Sequence, residues 1–466
     1  MKRKNNKLGH YCGIAGIFAR DEINIPEHLF YALFSLQHRG QESCGISYRK
    51  GDQLVVYKDL GMVAPVLSRY LQENRLSNVG IGHVRYSTHG GNKVENVQPI
   101  MVSCNKGTIA LAHNGNLSNT RELKQKLFSD GSIFQSTSDS EVILHLISRS
   151  RKTDFYGALK ETLGQMEGAF SLAMVHDNSL VLTRDPLGFR PLYIGSRDGV
   201  TYAASETCAL DTLGVKEYRS VDAGELTIID KNGVHTERFA PKGPKKQCIF
   251  ELIYFARPDS SVFDTSVHLT RKRMGAALAA CETVSADIVV PVPDSGNIAA
   301  LGCAEASGLP FEMGLQRNHY AGRSFIMPTT AERELAVRMK LHPVKTAVMD
   351  KRIILIDDSI VRGTTSRTLV KLLKDAGAKE VHLRLSSPEI KWPCYFGIDT
   401  PTRDELISNR KNPEELAAHI GADSVKFLPI DKLASCVENP EDFCYACFSG
   451  SYPVDVSQIN NNGACL

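Results

Sequence analysis

The chain has 466 residues, more than one ordinary domain holds, so at least two domains are expected. It is 42% hydrophobic and 23% charged, with 55 Lys and Arg against 52 Asp and Glu and a net charge of +3. That balance is of a globular protein without the basic excess of a nucleic-acid binder, and no run approaches the ~18 apolar residues of a membrane span. Neither nucleic acid nor membrane is expected as a partner.

Residues 1–11 include Lys2, Arg3, Lys4 and Lys7 and lack an apolar core, so they do not form a secretory signal. The expected location is the cytoplasm. A reducing compartment leaves most of the twelve cysteines as buried small apolar residues. The leader ends at Cys12, which opens the strand-like run "CGIAGIFAR". A cysteine with a free α-amine carries its own general base, because that amine has a reference pKa of about 7.7 to 8. Residues 1–11 are therefore read as a removable propeptide and Cys12 as a nucleophile; the plainer reading is a buried cysteine on a strand.

From 12 to 240 short strand-like runs alternate with turns, and helical segments such as "RELKQKLFSD" and "SDSEVILHLISRS" interrupt them. Stacked sheets under helical cover follow from that pattern. "GHVRYSTHG" ends a strand at Arg85, whose guanidinium suits a carboxylate. "LAHNGNL" places Asn114 and Gly115 in an expected tight turn, where an amide and a backbone N–H could stabilise an oxyanion. "STSDSE" offers Asp139 to a substrate ammonium. "APKGPKKQ", 240–247, reads as a linker.

Beyond it, 241–466 forms the second domain, with a cysteine-bearing tail. Apolar runs lead into amphipathic helices, the texture of a parallel doubly wound sheet with ligands at the carboxyl ends of its strands. "RIILIDDSIVRGTTS" ends a strand in Asp357 and Asp358 and continues through Ser359, Arg362, Gly363, Thr364 and Thr365 into a helix. Backbone N–H groups and threonine hydroxyls there suit a phosphate; the two carboxylates suit ribose hydroxyls or magnesium. "VPVPDSGN" brings Asp294, Ser295 and Gly296 to a second strand end, where pyrophosphate could sit. Between the two runs a segment with Arg317, Arg323, Arg333, Arg338 and Lys340 reads as a lid or as a solvated loop. "DFCYACFSG" is a C-x-x-C at Cys444 and Cys447, open to zinc, redox or iron–sulfur readings, and Cys248 and Cys394 could complete a four-thiolate set.

In chain order, Cys12 after a leader, "LQHRGQES", "GHVRYSTHG", "AHNGNL", "SDSE" and "RDPLGFRPL" resemble the glutaminase domain of the N-terminal-nucleophile amidotransferases. "IDDSIVRGTTS" resembles the phosphoribosyl-pyrophosphate loop of type I phosphoribosyltransferases, which sibling amidotransferases lack. Together with "YFARPDS", "NHYAGRSF" and "RMKL", the whole chain resembles the amidophosphoribosyltransferases, with His319 where the usual motif has arginine.

The resemblance implies an α+β four-layer sandwich followed by an α/β doubly wound parallel sheet. It implies Cys12 as nucleophile, Asn114 and Gly115 as oxyanion hole, and Arg85 and Asp139 as glutamine binders. It implies 5-phosphoribosyl 1-pyrophosphate on 357–365, with Mg2+ near Ser295, Asp357 and Asp358. Ammonia from glutamine would pass inside the protein to the activated ribose, opening de novo purine synthesis. The subclass with a cleaved leader implies a [4Fe-4S] cluster on Cys248, Cys394, Cys444 and Cys447. Purine nucleotide inhibitors and a homotetramer are implied as well. The other seven cysteines, 44, 104, 208, 281, 303, 436 and 465, are expected to be buried packing residues.

Overall fold

The structure, a computed structural model, describes residues 11–71, 75–86, 93–320, 339–398, 400, 402–457 and 459. The leader up to residue 10, Cys465 and the lid residues Arg323, Arg333 and Arg338 lie outside these.

The strand Tyr11–Ile23 shows how the first half is layered. Successive side chains point to opposite faces. Ile14 and Phe18 enter a core shared with Ala112, Ala173 and Leu182 of a second sheet. Ala15, Ile17 and Ala19 enter a different core, under the helix Ile25–Ser35. The first sheet has seven strands, with Tyr11–Ile23 between Val200–Ala204 and Ser77–Tyr86. The second has six, with Gly107–Leu117 paired to Gly168–His176. The helices Asp139–Arg149 and Phe155–Leu163 cover its outer face through Ile143, Ile147, Leu159 and Leu163. The layers run helix, sheet, sheet, helix.

In the second half, Ile288–Pro291, Arg352–Asp357, Glu380–Leu385 and Ser424–Phe427 form one parallel sheet in that order. Ile288–Pro291 and the interior of Arg352–Asp357 are apolar because both faces are buried, whereas Glu380–Leu385 and Ser424–Phe427 towards the far edge carry Glu380, His382, Arg384 and Lys426. Val289, Ile354 and Ile356 face the helices Val267–Ala280 and Asn297–Ser307. Ile288, Val290, Ile353 and Leu355 face Thr364–Asp375. After Ile288–Pro291 the chain returns on the outer side, where Phe311 bridges Val289 in parallel. After Arg352–Asp357 it moves the other way. The switch point therefore lies between the carboxyl ends of these two strands, where open α/β sheets bind ligands.

Two helices cross closely because glycine faces backbone: a Cβ on Gly275 would collide with the Ala299 carbonyl, and one on Gly302 with that of Lys272. Gly275→Ala is expected to cost about 3 kcal/mol, the upper range for overpacking, and to show as a lowered thermal unfolding midpoint.

Candidate active site

Cys12 sits opposite Arg85 in the ladder between Tyr11–Ile23 and Ser77–Tyr86. It shares the strand parity of Ile14, so it faces the second sheet. The thiol is 1% exposed. Burial pushes it up to about 12, with Arg85 pulling down and Asp139 adding to the rise. Arg85 and Asp139 thus act on the same sulfur. The Arg85 guanidinium donates to the Asn96 carbonyl at 2.9 Å. Asp139 opens the helix Asp139–Arg149, capped by Ser138, and its Oδ2 accepts from the Leu117 N–H at 3.1 Å.

Asn114 and Gly115 do not form the expected tight turn. Both lie within the strand Gly107–Leu117, opposite Ser171 and Phe170. The glycine answers a close approach: a Cβ there would collide with the Ala169 carbonyl. The Asn114 Nδ2 is buried and has no hydrogen-bond partner among the described residues. A buried unpaired donor costs about 1 to 3 kcal/mol, a cost that an acceptor on a bound ligand would relieve.

A charged network that sequence reading did not find lies behind the cysteine. Arg39, from "LQHRGQES", donates through Nε to the Cys12 carbonyl at 2.9 Å. Its other nitrogens pair with Glu206 at 2.5 Å and with Glu251 at 2.7 and 2.9 Å. Arg190 also donates to Glu251, at 2.9 Å, and to the Phe396 carbonyl. All four side chains are buried. Glu206 further contacts His38 and accepts from the Ser260 hydroxyl and the Arg257 N–H. The network joins the two halves of the chain. Asn116 adds a bond to the Tyr395 carbonyl at 2.8 Å, and Phe189 stacks on Phe396 at 4.3 Å.

At the switch point Asp357 and Asp358 are buried side by side. Burial and mutual repulsion hold the Asp357 carboxyl well above its ordinary value; burial raises Asp358 too, against hydrogen bonds from Ser359 and Ser295. Ser295 thereby meets the Asp357–Ser359 turn, as the two strand ends require. Gly363, at φ 76°, precedes the helix Thr364–Asp375, and Thr364 and Thr365 stand exposed at its start. Arg362 is exposed and pairs with Glu405 at 3.5 Å. Arg317 pairs with Asp294. Arg271 lies between the centres: its charge feels Asp358 as well as Glu206 and Glu251.

Cys248, Cys394, Cys444 and Cys447 line one apolar pocket with Phe189, Phe250 and Phe396. Cys248 and Cys444 are partners in a short parallel ladder. Burial raises all four thiols, and the charges of Cys394, Cys444 and Cys248 each add to the rise at Cys447. Among the described residues no three His, Cys, Asp or Glu side chains are gathered so as to hold a metal ion. Of the other cysteines, 44, 208, 303 and 436 are buried; Cys104 and Cys281 are only partly so, because each ends its element at a turn.

The profile of the glutamine amidotransferase domain matches residues 83–212. The chain is 44% identical over 463 residues to the amidophosphoribosyltransferase of Methanocaldococcus jannaschii, covering 96% of this chain and 98% of that protein. It is 45% identical over 461 residues to that of Bacillus subtilis, covering 97% and 96%. The chain belongs to the amidophosphoribosyltransferase family. The solved glutamine phosphoribosylpyrophosphate amidotransferase of B. subtilis, complexed with ADP and GMP, superposes with a TM-score of 0.89 at 44% identity, covering 96% of this chain and 98% of that one. This is the glutamine-dependent transferase that opens purine biosynthesis, built as a glutaminase sandwich followed by a phosphoribosyltransferase sheet.

Burial alone would raise Glu206, but the charges of His38 and Arg39 and the hydrogen bonds it accepts hold it well below the ordinary carboxylate range. A depressed carboxyl stabilises the fold fully above its unfolded pKa of about 4.3 and loses that contribution as pH falls further. Glu206→Gln is expected to lower the thermal midpoint at pH 7 and to shrink that difference steadily below pH ~4.

Proposed function

We propose that Cys12, freed of the eleven residues before it, hydrolyses glutamine and that the ammonia reaches 5-phosphoribosyl 1-pyrophosphate at 357–365. The observation that carries this reading is the convergence of Arg85, Asp139 and a buried thiol, with the Asn114 Nδ2, unpaired among the described residues, on the neighbouring sheet. The domains are taken as 12–240 and 241–466, divided in the stretch 241–246, which has neither helix nor strand.

In a continuous chain the Cys12 thiol, at about 12, is protonated at neutral pH. The α-amine released with the propeptide takes its proton, and the thiolate attacks the glutamine side-chain carbonyl. Arg85 holds the α-carboxylate and Asp139 the α-ammonium. The oxyanion is met by the Asn114 amide and the Gly115 N–H, and collapse expels ammonia. Water then hydrolyses the thioester to glutamate. At the second centre ammonia attacks C1 of the ribose and pyrophosphate departs, giving 5-phosphoribosylamine. Asp357 and Asp358 orient the ribose hydroxyls; Ser359, Arg362, Gly363, Thr364 and Thr365 hold the 5-phosphate. Mg2+, which Ser295, Asp357 and Asp358 suit as oxygen donors, neutralises pyrophosphate charge when bound. The Tyr395–Gly397 segment packs on the strand that carries Asn114 and Gly115, a Cβ on Gly397 coming within 3.2 Å of Gly115, so the proposed oxyanion strand lies directly against the second half.

The four pocket thiols suit a [4Fe-4S] cluster. Such a cluster takes thiolates set wider apart than those around a single ion, which reconciles a shared pocket with the lack of a single-ion group among the described residues. Its role is structural, tying linker, sheet and tail together. Inhibition by purine nucleotides is supported by the B. subtilis structure with ADP and GMP. A cytoplasmic homotetramer completes the reading by family likeness.

Cys12→Ala is expected to abolish glutamine-dependent pyrophosphate release and to keep the ammonia-dependent reaction; loss of neither would refute the assignment. Asn114→Ala should lower glutaminase kcat about 100- to 1,000-fold, as for other oxyanion donors. Purified without oxygen, the protein should carry about four irons per chain, and Cys444→Ser should lose them. An iron-free, fully folded wild type would remove the cluster.

A further inference from the structure

The proposed glutamine site has two ends. Arg85 and Asp139 grip the α-carbon groups; Cys12, Asn114 and Gly115 meet the amide. The distance between them decides how many methylenes a substrate needs. A buried segment, 96–98, ties both ends together. Gln98 is 3% exposed. Its Oε1 accepts from the N–H of His113, the residue before Asn114, at 2.7 Å. Its Nε2 donates to the hydroxyl of Ser140, the residue after Asp139, at 3.1 Å. That hydroxyl lies 3.1 Å from the His113 Nδ1 and donates to the Asp139 Oδ1 at 3.4 Å. Asn96, also buried, accepts from Arg85 through its carbonyl at 2.9 Å. Its side chain accepts from the Thr137 N–H at 3.0 Å and donates to the Thr137 hydroxyl at 3.1 Å, just ahead of Asp139. Lys58 clamps the segment from below through the Val97 and Pro99 carbonyls.

Resting on the site assignment above, we propose that the segment 96–98 is the spacer that fixes the length of amide substrate accepted. Gln98 is its principal specificity-determining residue, a positioning group without substrate contact. The buried side-chain amide has both ends satisfied, so displacing either strand or helix leaves an unpaired polar group. Asparagine, one methylene shorter than glutamine, cannot reach from Asp139 to the oxyanion donors while that strut holds.

The test compares glutaminase kcat/KM for L-glutamine and L-asparagine in wild type, Gln98→Leu, Ser140→Ala and the double variant. Discrimination by one methylene is worth roughly 10- to 200-fold. Each single variant is expected to lower the glutamine-to-asparagine ratio about tenfold, through a raised KM for glutamine. The double variant should fall no further than the worse single, because the two share one bridge. Ammonia-dependent synthesis should be unchanged and reports folding. If Gln98→Leu fails that check, Ser140→Ala, which deletes one hydroxyl, decides. An unchanged ratio, or equal losses for both amides, overturns the spacer. Asp139→Asn separates the two levels. If it leaves the glutamine KM unaltered, the site assignment falls and the spacer with it. If it raises that KM while Gln98→Leu and Ser140→Ala leave the ratio unchanged, the spacer alone falls.

Discussion

The molecule is organised around one buried carboxylate shared by two buried guanidiniums. Glu251 accepts from Arg39 and from Arg190, and Arg39 divides itself between Glu251, Glu206 and the Cys12 carbonyl. Taking such charges out of water costs several kcal/mol per ion unless pairing and hydrogen bonding are complete. Here they are complete only when both halves of the chain are in place. Glu251 belongs to the segment after the linker, and Arg190 spends its remaining donors on Phe396 of the second half. The position of Cys12 is therefore a property of the docked pair and not of the first half alone. An apolar interface of equal area would hold the halves together but would tolerate sliding; fork-shaped guanidinium–carboxylate pairs fix register.

That constraint also explains what sequence reading could and could not recover. The parallel sheet was plain because its two strands at the switch point, Ile288–Pro291 and Arg352–Asp357, are apolar runs that end in polar, chemistry-bearing loops. Asp357 and Asp358 sit where such a run must stop. The layered first half was legible from Tyr11–Ile23, whose alternate residues fill two different cores. Asn114–Gly115 misled because Asn-Gly is a strong local turn signal. Tertiary pairing overrode it: the glycine makes room for the Ala169 carbonyl of the adjacent strand. Arg39 and Glu251 are 212 residues apart, and nothing local in either motif points to the other. Gln98 was invisible for a related reason. It carries no catalytic chemistry, and its partners His113 and Ser140 belong to elements that meet only in the folded layers.

Burial gives the proposed nucleophile an off state. A thiol pushed to about 12 is inert at neutral pH, although Arg85 stands opposite it and pulls the other way. Desolvation outweighs the cation because the sulfur is enclosed, and the Asp139 charge works against Arg85. Lowering the thiol by exposing it would admit water to the thioester and waste glutamine. Supplying a base within the same residue leaves the enclosure intact, so a terminal amine suits this pocket better than a second side chain would.

The carboxylate pair at the switch point poses the opposite electrostatic problem. Burial raises both Asp357 and Asp358, and the charge of Asp358 raises Asp357 further. Without a positive charge or a proton beside them the turn carries unrelieved repulsion. The neighbouring cation, Arg271, has its guanidinium bonded to the Leu252 and Ala256 carbonyls of the segment that contains Glu251. Neutralising the pair therefore changes the field felt by Arg271, which is bonded to the backbone segment carrying Glu251, the partner of the Arg39 that meets the Cys12 carbonyl. Coupling between the two centres requires no long relay. One short stretch, 251–256, is held from the side of Asp358 by Arg271 and from the side of Cys12 by Arg39.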